Sequence, residues 1–131
     1  MTPEQILKRT NEARKEKGLA PLSMSPELSL AAKNRGIDMQ NTGLFSHEIA
    51  TTTPNVHWSD FILQAGYKKD KSGLGENLAR GFKNSSRVVK AWADSPTHAA
   101  NLFNPNFTDV GLAVMKGKDG KNYVYQFFGR K

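Results

Sequence analysis

Two apolar runs near the C-terminus, Val110-Gly111-Leu112-Ala113-Val114 and Tyr123-Val124-Tyr125-Gln126-Phe127-Phe128, flank the polar stretch Lys118-Asp119-Gly120-Lys121. Asp-Gly between β-prone runs is a strong hairpin signal, since glycine adopts the positive φ that such turns need. Helical segments precede and interrupt these strands. Thr2-Pro3-Glu4-Gln5 offers a capping hydroxyl, a proline at the first helical position and a glutamine to close the box, and Gly18 supplies the stop. Ser25-Pro26-Glu27 repeats the start for a second helix carrying Leu28, Ala31, Ala32, Arg35 and Met39, ended by Thr42-Gly43. Trp58 to Gln64 reads as a short helix with Phe61 and Ile62 inward, and Leu74 to Gly81 as a strand. Ser85 or Ser86 caps a helix that buries Val88, Val89 and Trp92, and Pro96 closes it or opens a further turn. The pattern predicts an α+β fold, a small mainly antiparallel sheet covered by helices. At 131 residues, with 37% hydrophobic content, residues 1–131 are expected to form one domain and a monomer.

Composition narrows the chemistry. There is no cysteine, which removes disulfides, thiolate metal sites and cysteine nucleophiles without deciding the compartment. No apolar stretch approaches the ~18 residues of a membrane span, and Met1 runs directly into the first helix signal, so any targeting segment is expected to lie outside this sequence. Nineteen Lys and Arg against twelve Asp and Glu give a net charge of +7. That favours loose contact with anionic surfaces, but the basic residues are dispersed and not interleaved with aromatics, so no specific nucleic-acid partner is expected.

The histidines at 47, 57 and 98 are the natural candidates for metal binding or acid-base work. No HExxH, GxSxG, Walker or GxGxxG pattern accompanies them. His47 follows Leu44-Phe45-Ser46 on a loop held by apolar anchors. Glu76 lies in Gly75-Glu76-Asn77-Leu78-Ala79, so apolar that the carboxylate is expected near the interior, where it needs a donor, a cation or a proton. His98 follows Ser95-Pro96-Thr97, with Ser95 as the expected N-cap of a short turn. Asn101 and Asn104-Pro105-Asn106 read as turn chemistry, and Trp58 and Trp92 as core.

Taken in order, Phe45-Ser46-His47, Gly75-Glu76-Asn77-Leu78-Ala79, Trp92 through Ser95-Pro96-Thr97-His98-Ala99-Ala100-Asn101-Leu102, and Asn104-Pro105-Asn106-Phe107-Thr108-Asp109-Val110-Gly111 resemble a bacterial member of the cysteine-rich secretory, antigen 5 and pathogenesis-related (CAP, or SCP-like) superfamily. Asn11-Glu12-Ala13-Arg14, Gly18 to Leu22 and Tyr125 to Gly129 extend the resemblance over nearly the whole chain. It implies an α-β-α sandwich in which His47, Glu76 and His98 meet in one cleft, with Asn77, Ser95 and Gln126 lining it. Plant and animal relatives carry a tetrad of two His and two Glu. Here Ser95 stands at the second Glu, Asp94 is a neighbour and not a match, and Tyr125 stands where relatives often carry Thr.

Three functions follow as expectations. The first is a non-enzymatic, secreted or cell-surface binding module whose cleft takes zinc or another divalent cation, weakly and exchangeably. His47 and His98 would hold it, with Glu76 as third ligand or as a hydrogen-bond acceptor behind them. The second is a metal- or His/Glu-dependent hydrolase acting on a peptide or ester, in which His47, Glu76 and His98 would be catalytic. In the third, the basic surface binds a lipid, sterol or anionic envelope polymer.

Overall fold

The computed structural model describes residues 1–43, 45, 57–68 and 73–130. Helix α1 (Pro3–Glu16) starts with the expected capping box between Thr2 and Gln5. The connector after it is pinned twice. Asn11 exchanges two hydrogen bonds with the backbone of Leu22, and Arg14, 1% exposed, donates to the carbonyls of Ala20, Leu102 and Asn104. Strand β1 (Ser23–Met24), which the sequence did not announce, leads into α2 (Pro26–Thr42), capped by Ser25 and stopped at Gly43 with φ +72°.

Helix α3 (Trp58–Gln64), strand β2 (Gly75–Arg80), helices α4 (Ser85–Asp94) and α5 (Pro96–Leu102), and strands β3 (Asp109–Lys116) and β4 (Asn122–Gly129) complete the order. Pro96 therefore opens a helix. The cap of α4 is Asn84 and not a serine: its side chain accepts from the amide of Arg87, because the helix begins one residue earlier than the serines suggest. At the hairpin, Gly120 has φ +78°, and Asp119 accepts from the Lys121 amide and the Tyr123 hydroxyl.

The sheet runs β1-β3-β4-β2, with β3-β4 and β4-β2 antiparallel and β1-β3 a two-residue parallel pair. Alternation sends successive side chains to opposite faces. Val110, Leu112, Val124 and Phe128 join Ile6, Val88 and Trp92 in one core, whereas Ala113, Tyr125 and Phe127 join Leu28, Met39 and Ile62 in the other. Helices α2 and α3 thus cover one face and α1, α4 and α5 the opposite one, an α-β-α sandwich. The same alternation divides the neighbours Glu76 and Asn77. Glu76 opposes Phe127 on the α2 side, and Asn77 opposes Gln126 on the α1 side.

Candidate functional site

Strand β2 is an edge of the sheet, so its outward carbonyls need donors from elsewhere. Asn101 Nδ2 on α5 donates to the Glu76 carbonyl at 3.0 Å, and Trp92 Nε1 on α4 donates to that of Leu78 at 3.0 Å. These bonds hold α4 and α5 against the strand and leave a cleft of about 240 Å³ beside it. Trp58, Leu74 and Thr97 form its rim, and Glu76, Asn77, His98 and Asn101 supply the polar wall.

The carboxylate of Glu76 lies under this wall. Arg35 Nε donates to its Oε2 at 3.0 Å, and both side chains are 1% exposed. The cation that the buried carboxylate needed is therefore an arginine of α2. Its signal was present: Arg35 falls on the Leu28, Ala31, Ala32, Met39 stripe, where a helix turns every such residue inward. The guanidinium also lies 5.7 Å from the centre of the Phe61 ring, which screens it from water.

Asn77 Nδ2 donates to the His98 carbonyl at 3.2 Å and to Gln126 Oε1 at 3.3 Å, while its Oδ1 accepts from Asn101 at 3.2 Å. Gln126 in turn donates to the Thr10 hydroxyl at 3.3 Å. Asn77 and Gln126 are fully buried, so this chain of side chains runs from α1 across that face of the sheet to α5. Gln126 belongs to the support of the cleft and not to its surface. Asn101, read from sequence as turn chemistry, is a wall residue whose amide satisfies two acceptors. Asn101→Ala is expected to cost about 1–3 kcal/mol by leaving them without that donor. A urea titration against wild type measures it.

His98 lies on α5, and its Nδ1 is 2.8 Å from Ser95 Oγ. Ser95 occupies the N-cap position, yet its side chain makes no cap hydrogen bond. The hydroxyl is drawn instead to the imidazole three residues on, while the Ser95 carbonyl still accepts from the Ala99 amide. His47 lies outside the described residues. His57 is placed elsewhere: it caps α3, accepting from the Ser59 amide, in a box closed by Asp60. Trp92 is core, but Trp58 is only partly buried. It stacks on Phe127 at 5.9 Å and faces the cleft.

Tyr125 is buried beside α2, and its hydroxyl accepts from Gln40 Nε2 at 3.0 Å. Burial pushes its pKa above the ordinary 10.0. Between the unfolded and folded values the unfolded chain has lost the proton and the native chain keeps it, so stability falls as pH rises past 10.0. Tyr125→Phe is expected to flatten that alkaline slope in thermal melts taken on either side of it.

Among the described residues, no group of three or more His, Asp or Glu side chains is gathered to hold a metal ion. No helix among them is long and apolar enough to cross a membrane.

The comparisons with known proteins agree with this architecture. The model of the cysteine-rich secretory protein (CAP) family matches residues 7–128. The YkwD protein of Bacillus subtilis is 32% identical over 127 residues, 97% of this chain but 47% of that protein. A protein of Borreliella burgdorferi is 30% identical over 122 residues, 92% of this chain and 73% of its own length. An outer surface protein from Borrelia burgdorferi superposes with a TM-score of 0.81 at 27% identity, covering 100% of this chain and 96% of that one. An extracellular SCP-domain protein from Bacillus anthracis gives 0.80 at 25% identity, over 100% of this chain and 44% of its own. The chain thus spans less than half the length of YkwD and about a third of the membrane protein YlbC of the same species, 34%. With a family model matched over most of its length and a sandwich that superposes on solved CAP structures, the chain belongs to the cysteine-rich secretory protein (CAP) family.

Proposed function

We propose that the domain is a non-enzymatic binding module acting outside the cytoplasm, whose cleft beside β2 takes a small polar ligand and holds a divalent cation, zinc foremost, weakly and exchangeably. The observation that carries this is the His98 imidazole at the wall of the cleft, its Nδ1 held 2.8 Å from Ser95 Oγ, above a Glu76 carboxylate already paired with Arg35 at 3.0 Å. A carboxylate already neutralised by a buried guanidinium is a poor third ligand, since a dication beside it would face the positive charge of Arg35. Glu76 is better suited to accept a hydrogen bond from a group in the cleft and orient it. The extracellular setting draws on relatives described as outer surface and extracellular proteins.

Two imidazoles without a free carboxylate beside them would hold a cation only loosely. The imidazoles of His98 and His47 would hold it, and when bound it supplies a Lewis-acidic positive centre for an anionic or carbonyl group of the ligand. Ser95 has a defined part in this. The Ser95 hydroxyl, 2.8 Å from Nδ1 and able to accept from or donate to it, fixes the orientation of the ring. In the tautomer whose Nδ1–H donates to Ser95 Oγ, Nε2 would carry the lone pair that a cation needs.

Calorimetry with zinc on the wild type and on the His47→Ala, His98→Ala double variant tests the proposal. Loss of the zinc isotherm in the double variant supports it, and equal binding by both overturns it. Ser95→Ala is expected to weaken zinc by about 10–100-fold, the usual effect of removing a group that orients a ligating histidine. Ser95→Glu, which restores a second carboxylate, should tighten it.

A further inference from the structure

The two edges of the sheet are finished differently. On β2, the carbonyls of Glu76 and Leu78 are taken by Asn101 and Trp92. On β3, the partner strand β1 covers only Asp109 and Val110. Beyond them the Leu112 amide turns away from β4 to the Ser29 hydroxyl at 3.3 Å. In an antiparallel strand the backbone groups alternate in direction, so the N–H and C=O of Val114 and the N–H of Lys116 are aimed the same way. Along this edge the protein becomes accessible, Val114 and Met115 being half-buried and Lys116 exposed.

A groove of about 430 Å³ runs beside this edge, between the start of α1 and the middle of α2. Pro3, Leu30 and Met115 give it apolar walls, and Lys33 stands at its side. Leu30 is 48% exposed and leaves apolar surface open beside the groove. Lys33 is exposed and has no carboxylate partner among the described residues.

We infer that the open β3 edge binds an extended segment of a partner protein as an added strand, with an acidic side chain against Lys33 and an apolar one against Leu30. A row of ladder donors and acceptors is matched by another extended backbone, and the neighbouring pocket reads alternate side chains, which is how strand addition combines affinity with specificity. Charge decides the occupant. A second copy would bring another Lys33 and Lys116 to the edge of a chain already at +7, whereas an acidic strand neutralises them. This surface is distinct from the cleft beside β2.

The test uses ¹⁵N-labelled protein and blocked heptapeptides of alternating valine and glutamate. Two control peptides are used, one with lysine in place of glutamate and one with alternate backbone nitrogens methylated. The glutamate peptide is expected to give saturable shifts at the amides of Val114 and Lys116. The lysine and methylated peptides should bind roughly tenfold more weakly or worse. Lys33→Glu, an exposed change that leaves both cores intact, should reverse the charge preference. Absence of shifts at the edge amides, equal binding of the methylated peptide, or an unchanged preference in Lys33→Glu would overturn the inference. So would a concentration-dependent dimer of the free protein that protects the same amides, since the edge would then belong to a second copy.

Discussion

Arg35→Met is expected to lower the unfolding free energy by about 3–5 kcal/mol, the range seen when one partner of a buried ion pair is removed. Both side chains are 1% exposed, so the Glu76 carboxylate would keep its desolvated position without the guanidinium that balances it. The packing of Arg35 over Phe61 would also be altered. Equilibrium urea unfolding measures the loss. The control is the double variant Arg35→Met, Glu76→Leu, in which no charge is stranded and most of the lost stability should return. A double variant as unstable as Arg35→Met alone would show that the loss arises from packing and not from the missing guanidinium charge. In the proposed function Glu76 orients a group in the cleft, so zinc calorimetry on the folded fraction of Arg35→Met would report whether the pair also serves binding.

Gly111→Ala should be comparably damaging, for a different reason. Gly111 lies in β3 where α2 crosses the sheet, and a Cβ there would overlap the carbonyl carbon of Leu28 and the amide nitrogen of Ser29. These are helix backbone atoms, which cannot swing aside as the tip of a side chain can. Overpacking a core ordinarily costs about 1–3 kcal/mol, and a clash with backbone is expected to reach or pass the top of that range. Gly43→Ala is the comparison. Gly43 ends α2 at φ +72° with nothing within 4 Å of the added carbon, so only the left-handed backbone is penalised, by about 1–2 kcal/mol. Thermal melts of the two variants side by side separate close approach from conformational strain. A milder effect at Gly111 than at Gly43 would mean that α2 can lift off the sheet at little expense.

Local signals carried much of the architecture. Proline after a capping hydroxyl located the starts of α1 and α2, and Asp119-Gly120 located the hairpin, because these depend on a few bonds between near neighbours. Where two hydroxyls and an amide lie within three residues, as at Asn84, Ser85 and Ser86, the sequence reading placed the cap of α4 on a serine and the structure places it on Asn84. Strand β1 was hidden for another reason. Two residues show no periodicity, and Ser23 and Met24 form a strand only because Asp109 and Val110 lie beside them.

For the cleft, the order of short sequence strings pointed to Glu76 and His98, and polarity in an apolar segment marked Glu76 as buried. Its partner and its supports were not legible in the same way. Arg35 is 41 residues from Glu76, and Asn101 is 25 residues away. Local propensity and periodicity are properties of neighbours along the chain, so they settled which segments are helix or strand and which face of each is apolar. Only the packing of α2 on one face of the sheet and α5 on the other decided that Glu76 meets a guanidinium, that its carbonyl meets the Asn101 amide, and that β3 keeps an open edge. A buried charge or an exposed backbone group takes whichever partner the assembled layers bring within about 3 Å, at separations that no local rule encodes.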